Sequence, residues 1–236
     1  MPLEIVLVRH GQSEGNRDRV FTGHGPSALT DLGRKQAEAA AAAIWTRTQK
    51  QAARDLERLR SDGKSASAPA AIDAIYSSDL PRARSTAEPL GRVSGIPIID
   101  DVALRERDVG VLTNLTFEEV QAQHPGTWDK LIARDAAYAP PGGESHRDCA
   151  LRMSRFLDDL CARHASGRVV CFSHGVAINH LLRHVVGCDP ASAPRFFFQV
   201  ENCSIHRVQR LDDGIFRILA TNDTAHLAAG DLHSHG

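Results

Sequence analysis

The chain has 236 residues, 42% of them hydrophobic, with 28 basic against 29 acidic side chains. That length and apolar content suffice for one sizeable core, so a single domain over residues 1–236 is expected. The near balance of charge excludes a global field suited to nucleic acid or a membrane surface, so any anion site must be built locally. Five cysteines (Cys149, Cys161, Cys171, Cys188 and Cys203), odd in number and without a CxxC pair, fit a reducing cytosol. The N-terminus runs into an apolar segment by Leu3 without a basic leader, and no stretch approaches a membrane span, so a soluble cytoplasmic protein is expected.

In chain order, EIVLV (4–8) is a run continuous enough for a strand covered on both faces, and it ends in Arg9, His10 and Gly11. A strand interior excludes charge, so Arg9 and His10 mark where the chain leaves the core. Residues 31–60 are alanine-rich and helix-favouring throughout. One helix of that length would be about 45 Å long, so a break or a projecting second half is expected in an extended helix and linker over 45–70. SDGKSASAPA (61–70) reads as a flexible linker. AIDAIYS (71–77) is a second strand, followed by Ser78, Asp79 and Arg82, and IPIID (96–100) a short third. Thr116 with Glu119 reads as a capping box.

From Cys149, the positions Met153, Phe156, Leu157, Leu160 and Cys161 recur at helical spacing, with Ser145 as N-cap and Gly167 just past the end. RVVCFS (168–173) is a fourth strand, ending in Ser173-His174-Gly175. Residues 203–222 read as two strands around an Asp213-Gly214 turn. The tail, residues 224–236, is expected to be flexible, and its His226, His233 and His235 lack metal-ligand spacing. Strands alternating with helices imply an α/β fold with right-handed crossovers and a mainly parallel sheet, mixed by the terminal hairpin.

In an open α/β sheet, ligands bind outside the carboxyl ends of the strands. Arg9, His10, Arg82 and His174 all follow such ends, each ahead of a helix whose N-terminal amides favour an anion. Gly11 and Gly175, directly after the two histidines, let the backbone approach a ligand closely. The chemistry that suits this set is phosphoryl transfer: forked arginine donors for nonbridging oxygens, one imidazole to attack phosphorus, and a second to donate to developing charge. Glu106, in ALRERDVG, is the carboxyl group placed to protonate a departing oxygen, although the flanking Arg105 and Arg107 also allow a plain salt bridge.

RHGQSEGN, SSDLPRARSTA, LRERDVG, PPGGES and CFSHG, in that order, resemble the histidine phosphatase superfamily, the phosphoglycerate mutase-like fold. The resemblance runs from Leu3 to about Arg210, with residues 45–70 longer than usual for the family. It implies a three-layer αβα sandwich with a small helical cap at about 105–145. It implies His10 as the nucleophile that becomes phosphohistidine, Arg9, Arg82 and His174 around the phosphate, and Glu106 as proton donor. Ser13, Asn16, Thr22 and Gly23 are expected to line the pocket, His24 and His146 to sit at its rim, and no metal or organic cofactor to be used.

The superfamily contains phosphatases and cofactor-dependent mutases. VFTGH (20–24) and GVLTNLT (110–116) look mutase-like. However, Phe117 stands where the mutases carry lysine, Ala133 and Arg134 where they pair arginines, and Val176 where they have asparagine. With PPGGES, the form common in the phosphatase branch, this favours a metal-independent phosphomonoesterase acting on a small phosphorylated metabolite. A phosphoglycerate mutase is the alternative, and a noncatalytic scaffold the alternative of another class. Lys130 and Arg134 are candidates for a second anionic group. The 31–60 helix and RFFFQV (195–200) are candidates for a homodimer interface, and no nucleic-acid or membrane partner is expected.

Overall fold

The structure is a computed structural model that describes residues 2–62, 69–190, 192, 195–228 and 230–234. Six strands form one sheet among the described residues: β1 (Leu3–Arg9), β2 (Ala74–Ser77), β3 (Ile98–Asp100), β4 (Gly167–Ser173), β5 (Ile205–Arg210) and β6 (Phe216–Asp223). Their spatial order is β3-β2-β4-β1-β5-β6. β1, β2, β3 and β4 run parallel, while β5 pairs antiparallel with β1 and with β6, giving the mixed sheet that the terminal hairpin predicts. In register, Arg9 lies opposite Ser173 and Ser77 opposite Phe172, so β1, β2 and β4 end within one residue of the same level. His10, Ser78 and His174, each one residue further on, therefore emerge side by side at the same sheet edge.

The helices are α1 (Glu14–Arg17), α2 (Asp31–Ser61), α3 (Pro81–Ser94), α4 (Phe117–Gln123), α5 (Pro125–Ile132), α6 (His146–Arg163), α7 (Gly175–Val185) and α8 (Ala225–Ala228). Period-two alternation along the strands sorts them into two layers. Leu3, Ile5 and Leu7 of β1, with Val169 and Cys171 of β4, pack against Met153, Phe156 and Leu157 of α6 and Ile178 and Leu181 of α7. Val6 and Val8, with Val170 and Phe172, pack on the other face against Ala41 and Ile44 of α2 and Ala87 and Leu90 of α3. The result is the expected three-layer α/β sandwich.

Three expectations need correction. First, α2 is one unbroken helix of 31 residues, with Thr30 capping its start by accepting from the Gly33 amide. After Gly33 it contains neither glycine nor proline, and its buried positions, Gln36, Ala37, Ala40, Ala41, Ile44, Thr48 and Ala52, recur every three or four residues. Past Ala52 no residue of the helix is fully buried, and Asp55, 3.6 Å from Arg168 Nη2, ties this stretch to the start of β4. Second, α6 stops at Arg163, and Gly167, at φ +99°, opens β4 rather than closing the helix; a Cβ there would fall 2.3 Å from Asp73 Oδ2. Third, the tail is not free where it is described. Leu227 is 1% exposed, packed with Ala40 and Cys203, and Gln36 donates to the Leu232 carbonyl at 2.7 Å. Most of the composition-based linker, residues 63–68, lies outside the described residues.

Between β3 and α6 the chain forms the short helices α4 and α5, a small helical cap. Its own core is Val109, Leu112 and Val120, covered by Phe21, Leu115, Trp128 and Leu131. Thr116 and Glu119 form the expected capping box at the start of α4.

Candidate active site

β1 ends on Arg9, and the chain turns immediately because the loop is pressed against α2. A Cβ on Gly11 would lie 2.4 Å from the Gly33 carbonyl oxygen, and one on Gly33 would lie 2.0 Å from that of Gln12. Only glycine fits on either side of this contact. The Gly11 amide donates to Thr86 Oγ1 at 3.0 Å, and that hydroxyl donates to the Arg82 carbonyl at 2.7 Å, locking the loop to α3.

His10 is 3% exposed, and its Nδ1 lies 2.7 Å from the Gly11 carbonyl oxygen. A carbonyl only accepts, so Nδ1 carries the proton and Nε2 keeps its lone pair. Burial, then the positive charges of Arg82 and Arg9, hold the ring well below the ordinary imidazole range, so it is neutral at pH 7. Its ring centroid is 5.1 Å from that of His174, which is also driven low by burial and by Arg82.

His174 Nε2 lies 2.8 Å from Ser78 Oγ, and the same hydroxyl accepts from the Leu80 amide at 3.2 Å. The amide already supplies a donor to this oxygen, and Nε2 is the acceptor that the Ser78 O–H meets among the described residues, so the hydroxyl is assigned as donor to Nε2. The proton of His174 then sits on Nδ1, a buried atom without a partner among the described residues.

Two arginines flank the pair. Arg82, 2% exposed, donates through Nη2 to Gly23 O at 2.7 Å and through Nη1 to Gly25 O at 3.3 Å. Burial pulls its guanidinium down to about 10. Arg9 donates through Nη1 to Val200 O at 2.6 Å, its Nε is buried without a partner among the described residues, and burial lowers it too. A buried and a half-buried cation with an unfilled donor make a site that gains by accepting an anion.

Glu106 resolves the ambiguity left by its neighbours. Arg105 forks onto Asp79, and Arg107 Nη1 turns to the Glu144 carbonyl at 3.0 Å. The Glu106 carboxylate instead accepts the amides of Arg107 (2.9 Å), Ala177 (3.1 Å) and Val176 (3.1 Å), at the N-terminus of α7 one turn from His174. A Cβ on Gly175 would lie 3.6 Å from Arg9 Nε and 3.9 Å from Glu106 Oε2, so the start of α7 lies between acid and arginine.

The remaining expected residues shape the loops. Ser13 is 1% exposed and forms a capping box with Asn16, whose Oδ1 also accepts from Asn202 Nδ2 at 3.1 Å. Gly23, at φ +47°, supplies the carbonyl that Arg82 grips, and Thr22 packs against Gly15. His24 donates to the Glu106 carbonyl at 2.8 Å and faces Asp108, so it sits beside the acid. His146 pairs with His180 at 3.1 Å, between α6 and α7. Arg134 lies with its guanidinium 5.3 Å over the Phe197 ring.

Sequence reasoning missed Ser78 as the partner of His174, Asn202 as the brace that holds the His10 carbonyl (3.1 Å), and Val200 as the acceptor for Arg9. Ser78 stood in a motif already singled out. The other two carry no local signal.

The neutral His10 imidazole with its unprotonated Nε2, His174, the half-buried Arg9 and the buried Arg82 thus gather at one end of the sheet, with the Glu106 carboxylate at the start of α7. The family model of the histidine phosphatase superfamily (branch 1) matches residues 5–61 and 60–224, and the chain belongs to that superfamily. Among curated relatives, the "Probable phosphoglycerate mutase GpmB" of Proteus mirabilis is 34% identical over 206 residues, covering 87% of this chain and 84% of its own. The structure of a mycobacterial glucosyl-3-phosphoglycerate phosphatase in complex with VO3 superimposes with a TM-score of 0.72 at 28% identity, over 94% of this chain and 99% of that one. Bacillus stearothermophilus YhfR gives 0.75 at 26% identity, over 95% and 99%.

Proposed function

We propose that the protein is a phosphomonoesterase that hydrolyses a small phosphorylated metabolite through a phosphohistidine on His10. The observation that carries this reading is the His10 tautomer: Nδ1–H fixed on the Gly11 carbonyl, Nε2 unprotonated, with Arg9 and Arg82 on either side. The arginines and the His174 Nδ1–H take the nonbridging oxygens. Nε2 attacks phosphorus in line, the P–O bond to the alcohol breaks, and Glu106, entering the step as the carboxylic acid that the hydrolytic step regenerates, gives its proton to the departing oxygen. Water then attacks phosphorus, the N–P bond breaks, and Glu106 takes the proton of that water.

A mutase is the second reading, favoured by the printed names of curated relatives such as that of Proteus mirabilis. Rebound transfer requires the intermediate to be held while it reorients. The groups that could clamp a phosphoglycerate are weakly represented here: Phe117 and Val176 are apolar, and Arg134 is stacked on Phe197. Hydrolysis needs no such clamp. The kinship with a solved glucosyl-3-phosphoglycerate phosphatase supports the hydrolytic reading.

The test is phosphate release from a panel of esters in chelator, with rapid quench in alkali to trap phosphohistidine. Wild-type release with label on His10, and neither in His10→Ala, is the expected result. Isomerisation of 3-phosphoglycerate without net release would replace the reading with the mutase. Ligand binding unaccompanied by turnover or label would favour a scaffold.

A further inference from the structure

The groups above account for the phosphate but not for the walls around the opening. Two loops touch the two phosphate arginines, and each carries aromatic rings. Arg82 grips the Gly23 carbonyl, and two residues earlier stands Phe21, whose backbone bonds to Asn114 and Leu115 of the cap. The Phe21 ring lies 4.7 Å from that of Phe117, which opens α4 and is 51% exposed. Arg9 grips the Val200 carbonyl, and three residues earlier Phe197 is 50% exposed, joined to the cap through Arg134.

Around Glu106, where the alcohol must leave, the carboxylate is held by backbone amides and forms no ion pair with a cationic side chain among the described residues. Val176 donates its amide to the carboxylate, and Val109 fills the space facing Gly23. The cations around Glu106 that do not face the phosphate are already engaged: Arg105 forks onto Asp79, Arg152 onto Glu144, and Arg107 turns to the Glu144 carbonyl. Arg134, just past α5, lies over the Phe197 ring.

We infer that Phe21, Phe117 and Phe197 form the leaving-group subsite, and that it takes an alcohol with a flat or branched apolar surface. This rests on the phosphomonoesterase reading and names its substrate class: phosphate monoesters of aromatic or hydrocarbon-rich alcohols, in preference to esters whose alcohol carries a carboxylate or a second phosphate. Ring faces left open to water gain by being covered, and an apolar ligand group is what covers them. A second anionic group would find the arginines around Glu106 already paired with Asp79 and Glu144.

The experiment compares kcat/KM for 2-naphthylethyl phosphate, glycerol 3-phosphate and 3-phosphoglycerate, all alkyl esters with similar leaving-group chemistry. In parallel, the affinity of His10→Ala for the same three is measured by calorimetry. The wild type is expected to prefer the naphthylethyl ester by about tenfold or more, and Phe117→Ser and Phe197→Ser each to shrink that ratio by about fivefold. A wild-type ratio near one, or a ratio that neither variant moves, overturns the subsite. If no ester is hydrolysed but His10→Ala still binds the naphthylethyl ester more tightly, the hydrolytic reading fails and the subsite stands. Equal affinities overturn the subsite whatever the catalysis.

Discussion

At the scale of single residues, protons decide what each group can do. The Ser78 hydroxyl, buried and 2.8 Å from His174 Nε2, places the His174 proton on Nδ1, which has no partner among the described residues. Ser78→Ala frees the ring to adopt the other tautomer. It is expected to lower kcat/KM by about tenfold, with partial rescue by Ser78→Thr, which keeps the hydroxyl. A variant with unchanged kcat/KM and pH profile would show that the serine merely fills space. Glu106→Gln keeps one carbonyl acceptor, enough for one of the two α7 amides, and cannot give up a proton. Turnover of alkyl esters should fall by about 100-fold or more, and that of a nitrophenyl ester far less, because its leaving group departs unprotonated. Equal slowing of both, in single-turnover measurements, would remove Glu106 from the acid role.

At the scale of elements, the site depends on how closely its supports approach. The loop after β1 is wedged against the first turn of α2, with Gly33 facing Gln12. Gly33→Ala puts a methyl 2.0 Å from the Gln12 carbonyl oxygen, so the loop or the helix must shift. The expected cost is about 1–3 kcal/mol in urea unfolding, with a larger relative loss of kcat because His10 rides on that loop. Stability and kcat both unchanged would mean that the contact is slack. The length of α2 follows from the same economy of side chains. Ala37, Ala40 and Ala41 are small enough to lie against the sheet and α8, and no helix breaker follows them. A composition that suggested an overlong rod therefore folds as one.

At the scale of the molecule, buried imidazoles link stability to pH. Burial lowers His146 to about 4, His180 to about 3 and His206 to about 4. An unfolded histidine takes its proton near ~6.5, so below that pH the unfolded chain binds more protons than the folded one. Stability from these neutral rings is complete above about pH 6.5 and is lost as pH falls toward 4, by about 1.4 kcal/mol per pH unit for each ring. The urea midpoint should therefore fall steeply between pH 6.5 and 4.5, and less steeply in His206→Gln. A midpoint flat over that range would show that the rings protonate without unfolding. The family-level reading is likewise a property of the whole chain, since the family model spans residues 5–224 in two overlapping segments.

The sequence by itself determined the α/β alternation, the terminal hairpin, and the assembly of Arg9, His10, Arg82, Glu106 and His174 at one sheet edge. Each of these except Glu106 directly follows a strand or opens the helix after one, so strand order and chain direction suffice to bring them together. Only the tertiary structure decided where Glu106 points, because amides at the start of α7, seventy residues away, choose between it and its arginine neighbours. The same holds for the Ser78–His174 bond, the docking of Leu227 on α2 and the stacking of Arg134 on Phe197. All are contacts between residues distant in the chain, set by packing and side-chain direction, and periodicity and motif spacing carry no record of either.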